Sequence, residues 1–186
     1  MHWKLATNRT LDFTRPRLMG VLNVTPDSFS DGGAYATTDA AVVRALEMVR
    51  DGAQVIDVGG ESTRPGADRI DADEQIQRVV PVIEKIRAEA DVFITIDTTR
   101  AAVAAAALDA GADAINDVSA GLEDDAMLAL AASRGCGIIL MHRLLPPELD
   151  SYSDRYETPP VFDDVVRTTR AFLQERMAAA QRAGVA

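Results

Sequence analysis

The chain has 186 residues, 47% of them hydrophobic, with a net charge of −10; that is enough apolar content for one buried core, and the charge argues against a nucleic-acid or anionic-membrane surface. A single cysteine, Cys136, excludes an intramolecular disulfide and suits a reducing compartment, where it reads as a small buried hydrophobe. No apolar run is long enough to span a bilayer, and residues 1–9 lack the apolar stretch of a signal peptide, so a soluble cytoplasmic protein is expected.

Trp3 and Phe13 are expected to anchor the lead-in segment against one end of the fold. Residues 18–24 read as a short buried strand, and the segment that follows, Thr25-Pro26-Asp27-Ser28-Phe29-Ser30-Asp31-Gly32-Gly33, is a polar loop. Next comes a helix over 39–50, with Val42, Val43, Leu46 and Val49 at helical spacing, Thr38 or Asp39 as its cap and Gly52 past its end. A second strand over 53–58 opens into Gly59-Gly60-Glu61-Ser62-Thr63-Arg64-Pro65-Gly66. The pattern over 71–90 is helical, with Pro81 expected to kink it or to mark its true start. A third strand, 92–96, ends at Asp97, and an alanine-rich helix, 100–110, closes at Gly111. The fourth strand, 114–118, carries Asn116 and Asp117 and leads to a helix over 124–134. A fifth strand over 137–141 ends at His142, followed by an irregular loop, 144–160, and a helix over 161–182.

Strands alternating with helices imply βα units on a parallel sheet. The segments 52–58 and 111–118 echo one another across the handover from helix to strand. Asn23, Thr63, Arg64, Asp97, Asn116 and His142 all fall at or beyond the C-terminal end of a strand, where such folds place their sites. The glycine spacing matches neither a dinucleotide-binding turn nor a P-loop, and polar residues after every strand favour a closed ring of loops, hence a (β/α) barrel. Five units cannot close an eight-membered ring, so the chain reads as one barrel domain over 1–186, C-terminally incomplete, with open strand edges that a second copy or the missing part would cover.

Individual residues admit two readings. Asp97 can accept two hydrogen bonds from an N–H/NH2 edge of a heterocycle, or it can cap the helix that follows. Asn116 interrupts an apolar strand, so its buried amide must find partners in the backbone or in a ligand. Arg64 can clamp an anion or pair with Glu61 in solvent. Asn23 and Asp31 offer oxygen ligands for a hard ion such as Mg2+. His142 reads as a structural hydrogen-bonding residue.

The string from Gly20 to Gly33 resembles the first signature of the dihydropteroate synthases, the folate-pathway enzymes that sulfonamides target. Residues 56–67, 95–98, 115–121 and 140–142 resemble the later signatures of that family, in order. The resemblance implies a (β/α)8 barrel and the condensation of 6-hydroxymethyl-7,8-dihydropterin pyrophosphate with p-aminobenzoate, which releases pyrophosphate. It implies that Asp97 and Asn116 read the pterin edge while Met141 packs on the ring. Asn23 and Asp31 would then serve Mg2+ and the pyrophosphate, and Phe29, Thr63 and Arg64 the p-aminobenzoate side. A homodimer is expected. The family's cationic groups on the sixth to eighth strands have no counterpart in this sequence, and the 143–148 segment departs from the common continuation. Two other functions remain open: a non-catalytic pterin-binding module that completes its sheet by dimerising, and a related methyltransferase that uses methyltetrahydrofolate.

Overall fold

The structure is a computed structural model that describes residues 2–6, 9–25 and 33–186. Two short strands, β1 (His2–Lys4) and β2 (Thr10–Asp12), form an antiparallel hairpin. Five more make a parallel sheet: β3 (Met19–Asn23), β4 (Val55–Gly59), β5 (Phe93–Asp97), β6 (Ala114–Asp117) and β7 (Gly137–Leu140). Their order in space is their order in sequence. A doubly wound sheet reverses direction at a switch point; here each strand adds on the same side, as staves of a barrel do.

The helices α1 (Gly33–Arg50), α2 (Ala72–Glu89), α3 (Ala101–Asp109), α4 (Met127–Arg134) and α5 (Val165–Ala183) alternate with those strands. Alternation along each strand divides its side chains between two faces. Leu22, Ile56, Val58, Ile94, Ile96 and Ile115 pack on the helical side, in one core with Val79, Val82, Ile83 and Ile86 of α2 and Val103 and Ala107 of α3. The opposite face carries the polar residues, set in rows by the register. One row runs Val21, Asp57, Thr95, Ala114, and two residues further along the strands runs Asn23, Gly59, Asp97, Asn116.

The hairpin covers the N-terminal end of these strands. Leu5 and Leu11 are buried with Val55 and Ala114, and Trp3 and Phe93 pack against them. Trp3 lies so close to Gly137 that a β-carbon there would fall 1.8 Å from the indole nitrogen, so only glycine can begin β7 beneath that ring. Trp3 thus anchors the lead-in segment as expected, whereas Phe13, 42% exposed, lies outside that buried cluster and meets Trp3 with ring centroids 6.5 Å apart.

Some boundaries differ from expectation. α1 begins at Gly33, so Thr38 and Asp39 lie inside the helix and neither caps it. Pro81 sits in the interior of α2, whose start is fixed instead by the Asp71 side chain accepting from the Glu74 N–H at 2.8 Å. α4 begins at Met127 and α5 at Val165, the latter capped by Asp164. The echoed segments share geometry: Gly52 has φ of 108° and Gly111 of 110°, the left-handed turn that passes each helix into the next strand.

Candidate functional site

The polar rows converge at the C-terminal end of the sheet. Gly59 is flanked there by Asn23 and Asp97: a β-carbon on Gly59 would lie 3.4 Å from Asn23 Oδ1 and 3.6 Å from Asp97 Oδ2. Asn116 is next to Asp97 in the register and is half-buried.

Asp97 is 8% exposed, and its Oδ1 is buried with no hydrogen-bond partner. Burial, then the charges of Asp57, Asp117 and Glu61, push its carboxyl up to about 7. The helix-capping role is taken elsewhere: Thr98 Oγ1 accepts from the Arg100 N–H at 3.2 Å, and Asp124 accepts from the Ala101 N–H at 2.7 Å. A buried carboxylate oxygen left without a donor is costly, and a ligand that offers N–H groups would remove that cost.

One row below, Asp57 accepts from the Thr95 hydroxyl on Oδ1 and from Asn116 Nδ2 on Oδ2, the latter at 2.9 Å. Its carboxyl is raised by burial, partly offset by those two hydrogen bonds. The sequence reading did not single out Asp57, although a charged residue within Val55–Gly59 carries the same signal as Asn116 does in β6.

A web of ion pairs links the loops around this end. Arg69 donates from Nη2 to Glu123 at 2.6 Å and to Thr99 Oγ1 at 3.0 Å, and its Nε lies 3.5 Å from Glu61. Glu123 also pairs with Arg143. Against the upward push of burial, hydrogen bonds from Thr99, Arg69 and Arg143 hold the Glu123 carboxyl below its usual range. The Gly66 N–H donates to the Pro147 carbonyl at 2.7 Å, tying the loop after β4 to the segment after β7. Arg69 and Glu123 were not legible as partners because 54 residues separate them.

The other expected residues are placed as follows. Thr63 and Arg64 are exposed on the loop after β4, and Glu61, the partner considered for Arg64, binds the Ile70 N–H and faces Arg69 instead. Arg64 lines a cleft of about 410 Å³ together with Thr25, Pro65 and Tyr152. Met141 is 40% exposed just past β7. His142 meets Phe172 edge-on, with centroids 5.0 Å apart, in keeping with a structural role. Cys136 is buried, and burial pushes its thiol up to about 11. Phe29 and Asp31 lie outside the described residues. Among the described residues no group of three or more His, Cys, Asp or Glu side chains is arranged to hold a metal ion. No helix among them is long and apolar enough to cross a membrane.

A family model described as pterin binding enzyme matches residues 19–186. The dihydropteroate synthase of Streptococcus pyogenes serotype M1 is 48% identical over 168 residues, covering 90% of this chain and 58% of that protein. The solved structure of Xanthomonas albilineans dihydropteroate synthase with 4-aminobenzoic acid superposes with a TM-score of 0.86 at 41% identity, covering all of this chain and 63% of that one. The Yersinia pestis dihydropteroate synthase in a sulfonamide drug complex gives a TM-score of 0.86 at 40% identity, covering 65% of that chain. The chain thus spans less than two thirds of the length of each of these relatives.

Proposed function

Because the chain belongs to the family of pterin-binding enzymes, we propose that it forms the pterin-reading part of a dihydropteroate synthase, which joins 6-hydroxymethyl-7,8-dihydropterin pyrophosphate to p-aminobenzoate and releases pyrophosphate. The observation that carries this reading is the buried Oδ1 of Asp97, left without a donor at the strand ends beside Asn116. An aminopyrimidinone edge offers an adjacent N–H and NH2 that a carboxylate can accept together.

In this reading Asp97 and Asn116 hold the pterin by its edge, and Met141 packs on the ring. Thr63, Arg64 and Phe29 shape the p-aminobenzoate side, with the guanidinium of Arg64 meeting the substrate's anionic group. Asn23, with Asp31, would hold Mg2+, a hard ion suited to oxygen ligands that supplies charge neutralisation at the pyrophosphate. Transfer then needs no covalent enzyme intermediate. The chain's own residues act by fixing the pterin methylene relative to the attacking aniline nitrogen and by excluding water from one side of the ring. The proposal includes a cytoplasmic setting, a single pterin-binding domain over 1–186 and a homodimer.

Titration of the 186-residue chain with 6-hydroxymethyl-7,8-dihydropterin, read by the ligand's fluorescence, tests the reading. Saturable binding that weakens by at least about tenfold in Asp97→Ala is expected from the loss of charge-assisted hydrogen bonds. A folded chain that does not bind the pterin, or an Asp97→Ala variant that binds as wild type, would contradict it. Dihydropteroate formed on adding p-aminobenzoate and Mg2+ to the pyrophosphate would extend the result from binding to synthesis.

A further inference from the structure

We infer that Asp57 sets the hydrogen-bonding polarity of the pterin site by fixing which way the Asn116 amide faces, an inference that rests on the pterin reading above. Asp57 lies on β4, 3% exposed, one row below the level of Asp97 and Asn116. Its two oxygens are tied in different directions, Oδ1 by the Thr95 hydroxyl and Oδ2 by Asn116 Nδ2 at 2.9 Å. Held at two points, the carboxylate cannot rotate without giving up a bond.

An ionised carboxylate only accepts hydrogen bonds. Asn116 must therefore turn its NH2 group toward Asp57 and its carbonyl oxygen away. The upper row then presents acceptors side by side, the Asn116 oxygen and the Asp97 carboxylate, to a ligand edge rich in N–H groups. With the amide reversed, an NH2 would stand where that oxygen is, and a donor edge would meet a donor. Removing Asp57 alone leaves the Thr95 hydroxyl and the Asn116 NH2 without their acceptor, so a role in specificity has to be read from ligand affinity rather than from stability. Asp57 is in this sense a positioning residue, acting through Asn116 and not by touching the ligand.

A double-mutant cycle separates this role from a merely structural one. The affinity for 6-hydroxymethyl-7,8-dihydropterin is measured for wild type, Asp57→Ala, Asn116→Ala and the double variant. Asp57→Ala is expected to weaken binding by about tenfold in the wild-type background and by less than about twofold once Asn116 is alanine. Asp57→Asn restores affinity to within about threefold, since its carboxamide oxygen faces Asn116 while its NH2 donates to the Thr95 hydroxyl. The same cycle run with Asp57→Val serves should the alanine variant fail to fold. Equal losses in both backgrounds, or an Asp57→Asn variant no better than Asp57→Ala, would overturn the inference. Failure of the pterin reading itself looks different: wild type would not bind, or Asn116→Ala would bind as well as wild type.

Discussion

Two buried carboxylates sit at opposite ends of the same sheet, and their surroundings are reversed. Asp113, at the N-terminal end, is fully buried and lies 2.6 Å from Arg87 Nη2 and 3.2 Å from Arg9 Nη1, with the Ile94 N–H donating to it at 2.9 Å. Asp97, at the C-terminal end, faces the charges of Asp57, Asp117 and Glu61 and keeps one oxygen without a donor. Matched by cations, a buried carboxylate holds the hairpin, α2 and the sheet together. Left uncompensated, it opposes folding and keeps a place for a ligand's donors. On the site proposed above, the ion pairs of Asp113 serve stability at the end where strands begin, and the unpaired Asp97 serves binding at the end where they finish.

The largest effect should come from breaking the compensated end. Asp113→Ala removes the carboxylate shared by Arg9 and Arg87, both about a quarter exposed, and the acceptor of the buried Ile94 N–H, leaving Arg9 its pair with Asp91 and Arg87 its backbone carbonyls. It should cost about 2–4 kcal/mol in urea unfolding while leaving pterin affinity unchanged. An equal loss of affinity would show that the two ends are not independent.

Relieving the uncompensated end should act in the other direction. The Asp97 carboxyl is raised to about 7 in the folded chain, above its unfolded value near 3.9. Its ionisation therefore opposes folding: native stability declines as pH rises through that interval, and at pH 4 the group is protonated in the folded state and about half protonated in the unfolded one, so little of the penalty is left. Asp97→Asn should stabilise the chain by about 1–3 kcal/mol at pH 8 and by less than about 1 kcal/mol at pH 4, and should weaken pterin binding by about tenfold at pH 8. Destabilisation at pH 8 would mean that the carboxylate has a partner in the folded state.

A smaller cost at the same end lies in the loop after β6. Ala120 adopts a φ of 56°, while Asp117 accepts from the backbone N–H groups of Ser119 and Gly121. Left-handed backbone is strained for alanine, so Ala120→Gly should raise stability by about 0.5–1 kcal/mol. Arg176 holds this loop by donating to the Ala120 carbonyl at 2.9 Å, and the substitution leaves that bond in place.

The two ends also differ in how far they could be read from sequence. The five parallel strands emerge within about two residues of their observed bounds, because each is a short apolar run between turn residues. Asp97 and Asn116 stand out as polar residues at or within such runs. Asp57 sits in the same kind of run, but its meaning depends on Thr95 and Asn116, 38 and 59 residues away, and pairing across strands leaves no local trace. The hairpin escaped notice because three-residue strands are too short to show alternation. The first turns of α1 contain Gly33, Thr37 and Thr38, poor helix formers. Pro81 is tolerated inside α2 because Val79, Val82, Ile83 and Ile86 bury that helix against the sheet, an override of local preference by packing.

The affinity for 6-hydroxymethyl-7,8-dihydropterin as a function of pH, from 5 to 9, tests most directly whether the uncompensated carboxylate is kept for a ligand. N–H donors favour the ionised form of Asp97, so affinity should rise with pH through a midpoint near 7 and level off above it, a dependence that Asp97→Asn should remove. An affinity that stays constant from pH 5 to 9 would contradict the account, since the ligand would then be bound without drawing on the charge that the fold leaves unpaired.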